Sequence, residues 1–333
     1  MKKWLFIEIV VLVAVLIAAV AVCMELPVFS GDQGDIDLQN TPTGAQTTAP
    51  TETTEPDPTW MSVPNDWELT AQQAFVYDVT AGEFVFLKGS ENDRVYPASI
   101  TKLMTAYVAL QFLEPETQIT AGDVLELVGA GSSVAEIEKG DTLTVERLVE
   151  AMLLPSGNDA AYILADAAGR VISGYDSISA WDAVAAFLKE MNGQARSLGM
   201  TGTNFTNPDG YHSADHYTTF ADLAVLGKKV LENKTIMKYA AVSEETVTLG
   251  GEEKKWENTN ELVRPTSKYY CPIATGLKTG QTPSAGSCLL SSFEYEGGKW
   301  IIGVFGCPEK DDRFDDTLWL LNKTLFVNTP IGG

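Results

Sequence analysis

Positive charge is scarce in this chain. Its 333 residues include 23 lysines and arginines against 45 aspartates and glutamates, which gives a net charge of −22 at pH 7. Nucleic acids and anionic membrane faces attract proteins through lysine and arginine, so this composition argues strongly against either as a partner. An anionic substrate would have to be held by local cations, because the overall charge of the protein does not attract it.

Cysteine is scarce as well. The four cysteines contain no C-x-x-C pair, so the sequence predicts no structural zinc site. Cys23 falls in an apolar N-terminal run, which leaves three cysteines, an odd number, in the rest of the chain. Cys288 and Cys307 lie in apolar, strand-like runs and are predicted to be buried thiols. A disulfide from Cys271 is left open.

Only two histidines are present, His212 and His216. Their spacing would suit two metal ligands on a helix, but they lie in a loop with proline and glycine, and no third ligand is evident. The sequence therefore predicts no metal and no other cofactor. Asp209 and Asp215 in the same loop are interpreted as loop-capping residues rather than catalytic acids.

Residues 1–28 contain the long hydrophobic run of the chain. Lys2 and Lys3 precede apolar residues over 4–24, interrupted only by Glu8. A basic start followed by about 20 apolar residues is typical of a signal peptide or a signal-anchor. We favour an uncleaved membrane anchor over a cleaved signal, and in either case we expect the bulk of the chain outside the cytoplasm.

Residues 29–63 have a different composition. Threonine, proline, glycine, glutamine and acidic residues dominate, and no lysine or arginine occurs over 31–58. Such a segment cannot bury a core, so it is predicted to be a disordered tether. The folded domain is predicted over 64–333.

Hydrophobic periodicity in this folded part places strands near its two ends and helices between them. Strands are predicted over 74–79, 83–87, 245–249, 285–295 and 300–306. Helices are predicted over 99–113, 145–152, 159–168, 179–198, 220–231 and 314–326. Thr144 is expected to cap the second helix, with Glu146 and Glu150 on its solvent side. This order predicts an α+β fold, with an antiparallel sheet flanked by helices and an inserted helical lobe.

Ser99 and Lys102 are the residues around which we interpret the rest. The residues after Pro97 have the apolar spacing of a half-buried helix, and proline suits the start of such a helix. Ser99 and Lys102 then lie one turn apart on the same face. A serine hydroxyl needs a base to act as a nucleophile, and a buried, partly neutral lysine can serve.

Two further motifs follow in the chain. Ser156 and Asn158, in S-x-N, interrupt a helical pattern at a tight corner, where they can point into a cleft between sheet and lobe. Lys278, Thr279 and Gly280 form K-T-G near a predicted strand at the inner edge of the sheet. A lone S-x-x-K arises by chance about once in such a chain, whereas all three motifs in this order arise in roughly a few chains per hundred.

These residue types suggest roles in acyl transfer. Ser156 can relay a proton to the leaving amine, and Asn158 can orient the base or the substrate amide. Lys278 supplies a fixed positive charge that attracts an anionic end of the substrate, and Thr279 offers a hydroxyl to the same carboxylate. Gly280 lets the strand backbone approach closely.

The chain resembles the serine D-alanyl-D-alanine carboxypeptidases, the low-molecular-mass penicillin-binding proteins of peptidase family S11. The resemblance covers about 74–326 and depends on the motifs Pro97–Thr105, Leu154–Ala160, Met191–Asn192, Thr203–Gly210, Asn258–Asn260 and Gly276–Gly280. It implies a β-lactamase/transpeptidase-like fold and removal of the terminal D-Ala from peptidoglycan stem peptides, with β-lactam antibiotics as covalent inhibitors. It also implies a bacterial cell-membrane location with the catalytic domain outside the cytoplasm, or secretion if the N-terminal segment is cleaved.

The resemblance also implies roles for individual residues. Ser99 is implied to be the acyl-ester nucleophile, Lys102 the proton acceptor, Ser156 the third active-site residue and Lys278 a substrate contact. Arg313 matches the arginine implied to hold the terminal carboxylate of the peptide; the alternative for Arg313 is a surface ion pair.

The chain departs from the family pattern in two places. Gln281 follows K-T-G where the family usually has an aromatic residue or histidine, which leaves the shape of the pocket roof open. The usual C-terminal β-rich domain has no counterpart after the last helix, which favours the N-terminal segment as an uncleaved tether.

Two other functions remain open from the sequence. A β-lactamase of the same fold would need a base for deacylation, and the nearest acids, Glu190 and Asp209, lack the expected motif. A tethered module that only binds penicillin or muropeptides would tolerate the loss of Ser99 or Lys102. Both are present, so catalysis is favoured.

Overall fold

The computed structural model describes residues 68–326. The predicted membrane segment (1–28), the predicted tether (29–63) and Cys23 lie outside these residues. Within 68–326, no helix combines the length and the apolar character needed to cross a bilayer.

A five-stranded antiparallel sheet forms the centre of the structure, with the strand order β2-β1-β11-β10-β9. Its strands are β1 (Gln73–Asp78), β2 (Glu83–Lys88), β9 (Ala274–Thr282), β10 (Gly286–Tyr295) and β11 (Gly298–Cys307). The remaining strands form three two-stranded ribbons: β3 (Arg94–Val95) with β6 (Thr218–Thr219), β4 (Gln118–Thr120) with β5 (Thr142–Thr144), and β7 (Glu244–Leu249) with β8 (Glu252–Glu257). K-T-G lies on β9, an edge strand of the main sheet, with Lys278 paired to Leu290.

Helices cover both faces of this sheet. They are α1 (Thr101–Phe112), α2 (Val145–Leu153), α3 (Asn158–Ser173), α4 (Ala180–Ser197), α5 (Phe220–Leu231), α6 (Lys234–Ala240) and α7 (Asp312–Phe326). Alternate strand residues point to opposite faces, so Ile301 joins the larger core with α1, and Ile302 joins a second core under α7. This arrangement confirms the predicted α+β class, with helices on an antiparallel sheet and a helical lobe inserted between β2 and β9.

Local signals in the sequence account for several element ends. The Thr144 side chain accepts a hydrogen bond from Arg147 N and caps α2, and Ser179 caps α4 in the same way. Glu296 and Gly297 both have positive φ between β10 and β11, which suits a tight hairpin. The capped helix and the hairpin agree with the sequence-based expectations.

Other elements differ from the expectation. Strand β7 does not join the main sheet but pairs with β8 through a turn at Gly250 and Gly251, both with positive φ. Helix α6 has only seven residues and follows an Asn233 cap, too short for a clear periodic pattern. Helix α3 continues to Ser173, past the predicted end, and stops at Gly174 in the left-handed conformation.

The prediction that Glu150 lies on the solvent side of α2 is wrong. Glu150 is buried and accepts a hydrogen bond from Arg147, while Glu146 is paired with Lys238 of α6. Burial raises the pKa of Glu150. The amphipathic pattern of α2 alone predicts that this face contacts water, but in the structure β7 and α6 cover it.

The cysteines of the described chain are free thiols. Cys288 and Cys307 are buried, as predicted, and Cys271 is buried as well. Burial raises the pKa of Cys271 to about 12 and that of Cys288 to about 11, which disfavours the reactive thiolate. No disulfide joins Cys271 to another cysteine within 68–326.

A buried carboxylate ties the start of the described chain to its last helix. Asp316 on α7 is fully buried and accepts hydrogen bonds from Thr70 N, Thr70 Oγ1 and Ala71 N. We expect Asp316→Asn to lower the free energy of unfolding by about 3 kcal/mol, because an amide nitrogen cannot accept from these donors. Urea denaturation measures this loss, with the exposed Glu309→Gln as the matched control; a difference under about 1 kcal/mol between the two variants would contradict the assigned role.

Candidate active site

Ser99 lies in a short 3₁₀ turn, Ala98–Ile100, that leads directly into α1. Ala98 has a φ of +46°, a strained value for a residue with a Cβ. The turn is anchored by Ile100 and Leu103, which are completely buried in the larger core. Ser99 itself is half-buried and lines a cavity of about 440 Å³. A rigid turn therefore presents the Ser99 hydroxyl to an open cleft.

Lys102 lies under Ser99, completely buried. Its Nζ donates hydrogen bonds to Ser99 Oγ at 2.9 Å, to Asn158 Oδ1 at 2.7 Å and to the backbone oxygen of Asp209 at 2.8 Å. Burial lowers the pKa of Lys102 to about 8, against the opposing influence of Asp209 and Asp159. A useful fraction of this lysine is therefore neutral near physiological pH.

The corner between α2 and α3 brings Asn158 to Lys102. Ser156 has a φ of +64°, and its backbone oxygen accepts a hydrogen bond from Ser133 Oγ at 2.8 Å. A Cβ at Gly157 would lie 2.8 Å from the backbone oxygen of Ala151, so this position must be glycine. Within 68–326, the Ser156 hydroxyl forms no hydrogen bond to any side chain of the site, although Ser156 is buried beside Asn158.

Strand β9 forms the opposite side of the cleft. Lys278 Nζ donates to Thr259 Oγ1 at 3.2 Å and lies 3.4 Å from Thr279 Oγ1, which donates to Thr259 Oγ1 at 2.6 Å. A Cβ at Gly280 would lie 2.8 Å from the backbone oxygen of Pro97, so glycine permits β9 to pack directly on the Ser99 turn. Thr259, whose N donates to the backbone oxygen of Leu154, links this strand to the helical lobe.

Two buried cations lie along this strand. Lys278 and Arg313 are each about 98% or more buried, and neither forms an ion pair with a carboxylate among the described residues. Within 68–326, the Arg313 guanidinium donates a single hydrogen bond, to the Gly280 backbone oxygen at 3.5 Å, and its Nε has no hydrogen-bond partner. Burial lowers the pKa of Lys278 well below its usual value, and the charges of Lys102 and Arg313 add to this. Arg313 is thus not in a surface ion pair, and an anion would stabilise both cations.

The loop 204–216 is fastened to successive turns of α1. Thr101 Oγ1 is 2.8 Å from His216 Nε2, and Thr105 Oγ1 donates to the backbone oxygen of Pro208 at 2.6 Å. Gly210, with a φ of +85°, lies so close to the Ser99 turn that a Cβ would be 1.8 Å from the backbone oxygen of Ala98. This loop and α1 therefore form one unit.

The two histidines contact neighbouring residues of the fold. Thr206 N donates to His216 Nδ1 at 3.1 Å, so the proton of the neutral ring lies on Nε2 and faces Thr101. Burial lowers the pKa of His216 to about 4. His212 packs edge-on against Tyr96 at 4.9 Å. Over the described range there is no group of three residues suited to hold a metal ion.

Three residues of the site were not predicted from the sequence. Asp159, at the first turn of α3, accepts hydrogen bonds from the backbone of Ala135, Ile137 and Ala160 and so holds the cavity wall 130–137 in place. An acidic residue in a first helical turn was the available signal. Thr259 and Asp209 lie in the motifs Asn258–Asn260 and Thr203–Gly210 that carry the resemblance, but their contacts at the site depend on the tertiary structure.

Known proteins resemble this chain in sequence and in fold. The family model described as D-alanyl-D-alanine carboxypeptidase matches residues 58–309. The chain is 31% identical over 248 residues to the D-alanyl-D-alanine carboxypeptidase DacF of Bacillus subtilis, covering 73% of this chain and 59% of that protein. It is 32% identical over 246 residues to the D-alanyl-D-alanine carboxypeptidase of Streptomyces sp. strain K15, covering 71% of this chain and 80% of that protein.

Solved structures share the fold. The Streptomyces K15 DD-transpeptidase superposes with a TM-score of 0.69 at 28% identity, covering 77% of this chain and 97% of that one. Penicillin-binding protein D2 of Listeria monocytogenes, in its cefotaxime-bound form, superposes with a TM-score of 0.63 at 30% identity, covering 78% and 98%. The chain therefore belongs to the D-alanyl-D-alanine carboxypeptidase family of peptidases, family S11.

Proposed function

We propose that this protein is a serine D-alanyl-D-alanine carboxypeptidase that removes the terminal D-Ala from peptidoglycan stem peptides. The observation that carries the proposal is the buried Lys102 Nζ, 2.9 Å from Ser99 Oγ at the edge of an open cleft. The chain spans 59% of the length of the Bacillus relative.

The contacts of Lys102 determine how it can act as a base. A neutral amine has two N–H groups and one lone pair. Asn158 Oδ1 and the backbone oxygen of Asp209 can only accept, so they take the two N–H groups. The lone pair then faces Ser99 Oγ and can accept its proton as the oxygen attacks the peptide carbonyl.

Acylation exchanges the peptide bond of the substrate for an ester to Ser99. Ser99 Oγ bonds to the carbonyl carbon of the penultimate D-Ala, its proton moves to Lys102, and the peptide C–N bond breaks. The departing nitrogen of the terminal D-Ala takes up a proton, delivered from Lys102 through the Ser156 hydroxyl. Water later hydrolyses the ester, which releases the shortened peptide and restores the Ser99 hydroxyl.

The terminal carboxylate of the substrate suits the β9 side of the cleft. Lys278 Nζ and Thr279 Oγ1 lie side by side on β9, beneath the strand end at Gln281 that lines the cavity, and Arg313 contacts the Gly280 backbone oxygen. A carboxylate in this position gives the two buried cations the anionic partner that they lack among the described residues. In this proposal the carboxylate faces Lys278 while the scissile carbonyl faces Ser99 Oγ.

We further propose that β-lactams acylate Ser99 and that residues 1–28 hold the protein in the bacterial cell membrane. The Listeria relative binds cefotaxime, and a β-lactam presents a reactive amide beside a carboxylate. The anchor is supported by the sequence of 1–28 alone. Cell fractionation and the intact mass of the native protein test it: a soluble protein lacking about 20 or more N-terminal residues would exclude the anchor.

A fluorescent penicillin and the peptide diacetyl-Lys-D-Ala-D-Ala test the proposed activity. We expect a lasting label on the chain from about residue 64 onward and release of D-alanine from the peptide. Ser99→Ala should lose both signals. The matched control is Ser197→Ala on α4, whose hydroxyl donates only to the Gly193 backbone and which should retain both.

Two other outcomes would indicate a different function. Rapid loss of the label with penicillin hydrolysis and no D-alanine would indicate a β-lactamase. Glu190 does not favour that outcome, because it accepts a hydrogen bond from Gln194 on α4 and does not line the cleft. No label and no D-alanine release would indicate a non-catalytic binding module.

The pKa of Lys102 predicts the pH dependence of acylation. The neutral amine is the active form, so the rate should rise with pH and reach half its maximum near pH 8. Stopped-flow measurement of the β-lactam acylation rate between about pH 5 and pH 10 gives this profile. A rate independent of pH over that range would exclude Lys102 as the titrating base.

A further inference from the structure

Asp209 is the one carboxylate among the described residues that line the cleft with Ser99. Its side chain is 99% buried, and its Oδ1 accepts a hydrogen bond from Tyr211 N at 3.2 Å. That contact is the loop-capping role expected from the sequence. Its second oxygen, Oδ2, is buried and has no hydrogen-bond partner in residues 68–326. The loop-capping role therefore explains the position of Oδ1 but not that of Oδ2.

A buried carboxylate with a free oxygen is costly unless a positive charge lies near it. The positive charge that stabilises the Asp209 carboxylate is that of Lys102, whose Nζ donates to the Asp209 backbone oxygen. No cation lies within ion-pair distance of the Asp209 side chain in the described structure, so the two charges interact through space rather than by direct contact.

The other charged groups around Lys102 are differently placed. Asp159 on α3 also faces Lys102, but its carboxylate is occupied by the backbone N–H groups of three residues. The positive charge of Lys102 helps to lower the pKa of Lys278 on β9, after the larger effect of burial. Tyr162 and Asn158 on α3 face the Asp209 carboxylate itself. Of the two carboxylates that favour the charged form of Lys102, Asp209 is the one with an oxygen, Oδ2, that has no hydrogen-bond partner within 68–326.

We propose that Asp209 is a positioning residue for acylation: its backbone oxygen fixes the Lys102 amine, and its carboxylate stabilises the ammonium that Lys102 becomes when it takes the Ser99 proton. The proposal rests on the proposed acyl-enzyme chemistry. No covalent bond to Asp209 forms, and the proton stays on Lys102 until the leaving nitrogen receives it.

The direction of the effect follows from electrostatics. Burial favours the neutral form of Lys102, whereas Asp209 favours the charged form. Removing the negative charge should therefore make Lys102 neutral at lower pH. The acylation profile reports this change, and a purely structural role for Asp209 would lower the rate without moving its midpoint.

Asp209→Asn tests the proposal in the full chain, because the amide keeps an oxygen for Tyr211 N and nearly the same shape. We expect the midpoint of β-lactam acylation to move down by about one pH unit. Asp215→Asn is the matched control, since Asp215 is exposed in the same loop and its side chain forms no hydrogen bond within the described residues. A profile of Asp209→Asn with the parent midpoint would overturn the proposal.

A second measurement needs neither the variant nor catalysis. In the unmodified protein labelled with ¹⁵N-lysine and ¹³C-aspartate, the Asp209 carboxyl resonance should shift at the pH where Lys102 Nζ titrates. Absence of that coupled step would also overturn the role of Asp209. If penicillin fails to label the unmodified protein, the proposed function fails, while this titration still decides whether the two charges are coupled.

Discussion

Replacing Lys102 with methionine is expected to lower the rate of Ser99 acylation about 10³-fold while the protein remains folded. Methionine has a similar length and suits a fully buried site, so the surrounding core is retained. The hydroxyl of Ser99, however, loses the group that accepts its proton. The second-order rate constant for labelling by a fluorescent penicillin measures the effect, and the thermal midpoint of unfolding reports the fold.

The substitution also leaves Asn158 Oδ1 and the Asp209 backbone oxygen without their donor. This should cost about 1–3 kcal/mol of stability for each group, a loss that the thermal midpoint of unfolding reports separately from the acylation rate. Lys228→Met on α5 is the control, because Lys228 is exposed and does not line the cleft. A Lys102→Met variant that kept a tenth of the parent rate would show that another group accepts the proton.

Gly210→Ala is expected to reduce labelling of Ser99 at least about 100-fold, because the new Cβ would displace the nucleophile turn. In the present backbone that carbon would lie 1.8 Å from the Ala98 backbone oxygen and 2.9 Å from Ser99 N. The φ of +85° adds strain for any residue with a side chain. The loop and the turn cannot both keep their positions, so Ser99 should move relative to Lys102.

Gly199→Ala separates the clash from the backbone strain. Gly199 has nearly the same φ, +87°, but a Cβ there would meet no atom within 4 Å. We expect this variant to lose about 1 kcal/mol of stability and to keep its labelling rate. Equal labelling rates for the two alanine variants would refute the idea that Gly210 sets the position of Ser99.

Local patterns predicted much of the fold. The Thr144 cap and the Glu296 hairpin are encoded within a few residues, so the sequence alone was sufficient for them. The separate ribbon β7–β8 depends on which strand finds which partner, and no local pattern contains that information. The burial of Glu150 was missed for the same reason, since α6 and β7 approach from elsewhere in the chain.

The site was predictable where its geometry is local. The one-turn spacing of Ser99 and Lys102 was enough to place their side chains together. The contacts of Lys102 with Asn158 and Asp209 join positions 56 and 107 residues away, which only the tertiary structure brings together. The roles assigned to Ser156 and Arg313 stay predictions until the corresponding variants are measured.

The position of β1 has a mechanical consequence. The chain enters the described structure just before β1, and this strand lies inside the sheet, bonded to β2 on one side and β11 on the other. A tensile load applied at Thr70 would act at once on the hydrogen bonds of β1 with β2 and β11 and on the hydrogen bonds from Thr70 to Asp316. An edge strand would peel away one hydrogen bond at a time, whereas β1 must shear many together. Extraction of the described domain from this end therefore requires both ladders of β1 to break together.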